Sequence, residues 1–386
     1  MQKKSNILHV CNQVLRVSFV VIIIIFSFPF FIKKDYAQSS ATPSQGESSA
    51  TSSTTLNILM VGDIMTDRHI RKEINYYKIA TGTEVQSASN FVAKYLSNIS
   101  EVNKNYDYVV ANLEGPITGN RSKTLNANGT YNPELTFTLP TSTINILNAL
   151  NVKVVSLANN HMDNFYYAGY TSTKAFLDKA GIKYFGNPYN TTTSPTLPQG
   201  ARATQDSIST TVCQDNICVA YVGYHQFTLN NSISIVSDEI KKLIVLKNST
   251  STDISAIRPD FIIIMPHWGV EYQATATPFQ TRAAHAWIDA GADAVIGAHP
   301  HVIENSEIYK GKVIYYSLGN YIFDQWRTEA MKTGLALNLQ MIKRSTTTII
   351  NNVSTTTTER ILKVNESGNQ KVLINKEGIR YDMKSQ

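Results

Sequence analysis

Cysteine is scarce: three in 386 residues allow at most one disulfide and no four-cysteine zinc site. Charge is scarce as well, with Asp, Glu, Lys and Arg making up 17% of the chain, and most of the formal +6 is local. Lys3, Lys4, Arg16, Lys33 and Lys34 against Asp35 carry +4, leaving +2 for the other 351 residues, so no basic stripe recruits nucleic acid. Nor is glycine or proline (19 and 12) periodic or abundant, and apolar residues are 42% of the chain, which excludes collagen-like, low-complexity and polytopic membrane classes.

One long apolar run exists. Residues 17–32, VSFVVIIIIFSFPFFI, are uncharged and flanked by Arg16, Lys33 and Lys34. This segment is directed to a membrane, as a retained anchor or a cleaved signal, and it places the remainder outside the cytoplasm. Residues 38–55 hold 11 Ser or Thr in 18 positions without apolar periodicity and read as a flexible tether. Eight Asn-x-Ser/Thr sequons, at Asn98, Asn120, Asn128, Asn190, Asn230, Asn248, Asn352 and Asn365, suit an extracytoplasmic chain. Cys213 and Cys218 bracket the turn-like QDNI and are a disulfide candidate across a hairpin, against the alternative of two free thiols.

From Leu56 onward, apolar runs at 57–63, 108–114, 152–159, 219–224, 261–269, 294–301 and 313–323 read as strands buried on both faces, because they lack a period of two. Residues 141–150, 168–181 and 278–292 read as helices, the last two closing at Gly181 and near Gly291. The pattern predicts an α/β domain over 56–343, preceded by the membrane segment (1–37) and the tether (38–55). A peripheral β-rich or loose tail (344–386) follows.

Polar residues collect where these strands end: Asp63, Glu114, Asn160 with His161, His267, and His299 with His301. Ligands in open α/β sheets bind beyond the carboxyl ends of strands. Each residue alone has an ordinary role as a cap or a satisfied histidine, whereas five strands delivering such groups to one edge point to a site. Pro300 disfavours helical backbone at His299, and an extended chain would aim His299 and His301 to one side, at one metal centre or at two neighbouring ones. Carboxylate, amide and imidazole donors without thiolate suit one or two divalent ions, Zn, Mn or Fe.

In order, MVGDIM, ANLEGPIT, SLANNHMDN, MPHWGVEY, GADAVIGAHPHVIE and YYSLGNYIFDQ resemble the CapA family of capsule and poly-γ-glutamate biosynthesis proteins, over about residues 56–340. The fold of that family resembles the calcineurin-like metallophosphoesterases, and the resemblance implies a four-layer α/β/β/α sandwich. It implies metal ligation by Asp63, Glu114, Asn160, His267, His299 and His301, with Asp63 and His161 in catalytic roles and His161 as proton donor. It departs at Met65, which stands where the phosphoesterase pattern has a histidine; Asp67 and His69 are near enough in sequence to compensate. Glu271, Asn320 and Asp324 are candidates for supporting a ligand or touching substrate. The activity implied is a metal-dependent hydrolase or transferase at the cell surface acting on poly-γ-glutamate or another anionic surface polymer. The alternatives are a phosphoesterase, or a non-catalytic polymer-binding subunit beside the membrane subunits of a polymer synthase.

Overall fold

Two sheets account for the continuous apolar runs. The computed structural model describes residues 47–123, 135–189, 208–228, 231–249, 257–350, 353–375 and 380–385; the apolar segment at 17–32 lies outside the described residues. In the first sheet β1 (Glu47–Ile64), β2 (Tyr108–Leu113), β3 (Val152–Ser156) and β4 (Lys183–Phe185) run parallel. On its other side β1 pairs with β11 (Asn320–Ile322) and β12 (Thr333–Ile350), and β13 (Val353–Val364), β14 (Gln370–Asn375) and β15 (Arg380–Ser385) follow. The second sheet orders β5 (Ser209–Gln214), β6 (Ile217–His225), β7 (Phe261–His267), β8 (Ala294–Ile296), β10 (Lys312–Tyr315) and β9 (Ser306–Tyr309).

Successive residues of one strand serve different layers. Leu59 and Val61 of β1 pack under α1 (Arg68–Thr81), α2 (Glu84–Tyr95), α3 (Ser97–Asn103), α4 (Thr143–Ala149) and α5 (Tyr166–Ala180). Ile58 and Met60 face Phe261, Ile263 and Met265 of β7 between the sheets. Ile262 and Ile264 of β7 in turn meet α6 (Ile233–Lys247) and α7 (Pro278–Ala290). The result is the four-layer α/β/β/α sandwich, in which a strand buried on both faces has no polar side and hence no period of two. Gly181 and Gly291 close α5 and α7 in the left-handed conformation, as the helix pattern predicts.

The boundaries at both ends of the domain differ from the sequence reading. Residues 47–55, read as tether, are strand: they pair in continuous register with 342–350 of β12. Likewise the boundary at 343 falls inside β12, and the rest of the tail adds β13, β14 and β15 to the first sheet. Threonine-rich chain suits a strand once a partner edge exists, and here the partner is nearly three hundred residues away in sequence.

Cys213 and Cys218 lie opposite each other across the β5–β6 hairpin and are joined in a disulfide. Closing so short a loop removes little chain entropy. Reduction is therefore expected to cost only about 2 kcal/mol, read as a lower denaturation midpoint with reductant that a Cys213→Ser/Cys218→Ser protein no longer shows.

Candidate metal centre

Parallel strand order brings the carboxyl ends of β1, β2, β3, β6, β7 and β8 together. Two glycines permit the final approach: a Cβ on Gly62 would lie 1.8 Å from the Gly319 carbonyl oxygen, and one on Gly297 2.0 Å from that of Tyr316. Each sits just before site residues, so the backbone next to Asp63 and His299 is fixed by contact with a neighbouring strand.

At the centre Asp63, Glu114 and His301 each offer a ligand atom within 4.8 Å of the others, and all three are buried. His301 Nδ1 lies 3.0 Å from Asn320 Oδ1 and 3.3 Å from Asp63 Oδ2. The Asn320 amide nitrogen donates to the carbonyls of His301 and Met331, so its oxygen must be the acceptor of the His301 Nδ1–H. Nε2 is left facing Glu114 Oε1 at 3.7 Å. Asn320 thus holds a histidine as outer carboxamides hold metal-binding histidines.

Glu114 is fully buried, and neither carboxylate oxygen has a hydrogen-bond partner among the described residues. Burial above all, then the Asp63 charge, pushes its carboxyl well above the usual range. Burial alone would push His301 down, yet Glu114 and Asp63 outweigh it and raise it to about 9. Two carboxylates and an imidazole around buried oxygens with no donor fit a divalent cation, which would satisfy the oxygens and displace the imidazolium proton. Divalent-ion affinity is therefore expected to climb roughly tenfold per pH unit on approaching pH 9, measured by calorimetric titration at several pH values. In the metal-free protein the raised His301 value contributes stability that is complete below its unfolded value of 6.5 and lost as pH rises through about 9.

A second group adjoins the first. His267 Nε2 is 2.8 Å from Asn160 Oδ1 and 3.1 Å from His299 Nδ1. Burial pushes His299 down to about 3 and His267 well below its usual value, so both rings are neutral donors at neutral pH. His299 and His301 therefore address different groups. The extended geometry expected around Pro300 is not what forms, since both histidines take positive φ, 102° and 57°. The bend is held by Tyr272 N–H donating to the Pro300 carbonyl at 2.8 Å, and such local strain persists only where surrounding contacts impose it.

His161 Nε2 lies 3.8 Å from Glu114 Oε1, and its ring stacks on Phe137 at 4.0 Å. Asn164 Oδ1 accepts from Phe137 N–H (2.7 Å) and from His161 Nδ1 (3.0 Å), which leaves the lone pair on Nε2. Burial pushes His161 down to about 4. A neutral ring with an unprotonated Nε2 has a lone pair with which to accept a proton.

Met65 is buried, and its sulfur accepts the Asp67 amide at 3.0 Å. Asp67 in turn takes the Thr138 amide at 3.1 Å and sits 3.7 Å from Arg71, while the His69 ring packs on Trp326 at 4.9 Å. Neither joins the Asp63 group. Asp324 pairs with Arg68, and Glu271 stands exposed on the cleft wall rather than orienting His267. That orienting place belongs to Asn112, whose amide nitrogen lies 2.8 Å from Asp63 Oδ1 and 3.2 Å from His267 Nδ1. Asn112 was visible in the sequence as an amide inside the apolar run YVVANLE. His225, register partner of His267, is another residue that carries no motif.

The family model "Bacterial capsule synthesis protein PGA_cap" matches residues 57–325. The "Capsule biosynthesis protein CapA" of Bacillus anthracis is 30% identical over 282 residues, 72% of this chain and 62% of that protein. The "PGA biosynthesis protein CapA" of Bacillus subtilis is 27% identical over 280 residues, 72% of this chain and 66% of that one. The chain thus spans somewhat under two thirds of these relatives' length. Among solved structures, the NAD nucleotidase of Haemophilus influenzae aligns with a TM-score of 0.40 at 11% identity, covering 87% of this chain and 61% of that one.

Proposed function

Because this chain belongs to the bacterial capsule synthesis family PGA_cap, whose model matches it over residues 57–325, we propose that it is a membrane-anchored, extracytoplasmic hydrolase or transferase acting on an anionic capsule polymer. The polymer is poly-γ-glutamate or a close chemical relative, and the activity depends on a divalent ion, Zn, Mn or Fe. One observation carries the reading: Glu114, buried with two oxygens lacking hydrogen-bond partners among the described residues, lies beside His161 and His301, which both line a cleft of about 510 Å³. The apolar segment at 17–32 supports the anchor, with membrane subunits of a polymer synthase as the partners it would meet there.

Asp63, Glu114 and His301 would hold one ion, and Asn160, His267 and His299 offer donors for a neighbouring one. A bound divalent ion supplies Lewis-acid polarisation of the scissile carbonyl and lowers the pKa of water. His161, its Nδ1–H spent on Asn164, presents Nε2 to take a proton from the attacking water and returns it to the leaving amine. Asn320 keeps the His301 Nε2 aimed at the centre, and Asn112 keeps Asp63 and His267 in place.

The test is to incubate the full chain with γ-linked polyglutamate, α-linked polyglutamate and an aryl phosphate, with a divalent ion or with chelator. Metal-dependent shortening of the γ-linked polymer is expected, together with accessibility of the chain to protease on intact cells. Hydrolysis of the aryl phosphate alone would contradict the proposal and assign a phosphoesterase. The thioether at Met65, committed to the Asp67 amide, favours a second reading as a polymer-binding subunit; binding without cleavage in the presence of metal is its signature.

A further inference from the structure

We propose that Arg68 is the anion-reading residue of this cleft, its guanidinium taking a carboxylate that the polymer carries beside the bond presented to His161 and the Asp63–Glu114–His301 group. The inference rests on the polymer reading above and adds which residue recognises the substrate's charge.

Arg68 lines the cleft together with His161, His301, Phe137 and Phe323. Its Nε and Nη2 both go to Asp324 Oδ1, while Asp324 Oδ2 accepts the His69 amide at 3.0 Å. This fixes the plane of the fork and leaves Nη1 for a ligand. The guanidinium carbon lies 5.2 Å from the centre of the Phe137 ring and 5.4 Å from that of Phe323. Those two rings are the ones packed on the reacting histidines, Phe137 on His161 at 4.0 Å and Phe323 against His301 at 4.7 Å. Each pair of distances laid end to end keeps the guanidinium within about 10 Å of both imidazoles. A carboxylate held one hydrogen bond away, at about 3 Å, can therefore belong to the same substrate chain whose bond is presented to the two histidines.

The charges around the cleft favour such a group. Glu271 and Asp324 stand on the cleft wall with Arg68 and Arg327, and the buried Asp63 and Glu114 lie just behind the lining His161 and His301, so a chain with one carboxylate per residue meets acidic groups here, and Arg68 is the cation packed on the rings that cover both histidines. Arg68 is permanently cationic, and its fork is rigid enough to bind a carboxylate in a fixed plane. Its backbone adds a separate sign: φ is 53°, left-handed for a residue that is not glycine, at the first position of α1. Strain of this kind clusters at ligand clamps.

Three proteins decide it: wild type, Arg68→Lys, and Arg68→Gln combined with Asp324→Asn so that no buried carboxylate is left unpaired. A fluorescent γ-linked glutamate oligomer, its methyl ester and inorganic phosphate as competitor are the probes. Expected is a loss of oligomer affinity of about tenfold or more in the double variant, the worth of one charge-assisted hydrogen bond, with a smaller loss in Arg68→Lys. KM should rise while kcat and metal content hold, and the ester should bind all three proteins equally. Unchanged oligomer affinity, a fall in kcat alone, or Arg68-dependent binding of phosphate in place of oligomer would overturn the assignment. If wild type cleaves the polymer and the double variant does so with the same KM, only the role of Arg68 fails. If wild type neither binds nor cleaves it, the polymer reading fails as well.

Discussion

Asp63→Ala and His301→Ala are each expected to lose bound divalent ion and to lose activity on the polymer by more than about a hundredfold, the top of the range for groups that merely support a ligand. These residues supply two of the three donors within 4.8 Å in the central group. A weaker effect would be expected if they were only structural, because Asn112 would still meet His267 and Asn159, and Asn320 the Met331 carbonyl. Metal content by elemental analysis and thermal melts separate the alternatives. A folded His301→Ala protein without metal or activity supports the assignment, whereas full activity in either variant contradicts it.

Glu114→Gln is expected to reverse the stability order of wild type and variant when metal is added. Without metal, wild type buries a carboxyl group whose oxygens have no hydrogen-bond donor among the described residues, and both burial and Asp63 oppose its charge. The isosteric amide removes that charge, so the metal-free variant should melt at the same temperature or a few degrees higher, at about 2–4 °C per kcal/mol. With ion at about a hundred times its dissociation constant, wild type gains roughly 2.7 kcal/mol and the variant almost nothing. Residues kept for function commonly show this exchange of stability for binding. If Glu114→Gln were less stable under both conditions and gained as much from metal, Glu114 would be a structural acid.

Much of the site was legible because strand ends are written into sequence. A buried strand must be apolar until it leaves the core, so Asp63, Glu114 and His267 stand out as the first ionisable groups after apolar runs. How these residues divide was not legible. His299 and His301 are two apart, yet their positive φ values send them to different groups, and local preference before Pro300 argues for the opposite backbone. Asn112 and Arg68 were missed for another reason: the contacts of each come from remote segments, Asn112 with His267 and Arg68 with Asp324. The Ser/Thr stretch at 47–55 has no apolar pattern to announce a strand, and only β12, brought back by the fold, gives it a partner. Composition is silent on such pairings.

The chemistry proposed for the cleft depends on a metal centre at Asp63, Glu114 and His301. Calorimetric titration of the metal-free full chain with Mn²⁺ or Zn²⁺ at pH 8, with Asp63→Ala in parallel, tests it most directly. Saturable binding to wild type with proton release is expected, because His301 must give up the proton that Glu114 and Asp63 hold on it, and that binding should be lost in Asp63→Ala. Folded wild type that takes up no ion, or takes it up equally well without Asp63, would contradict it.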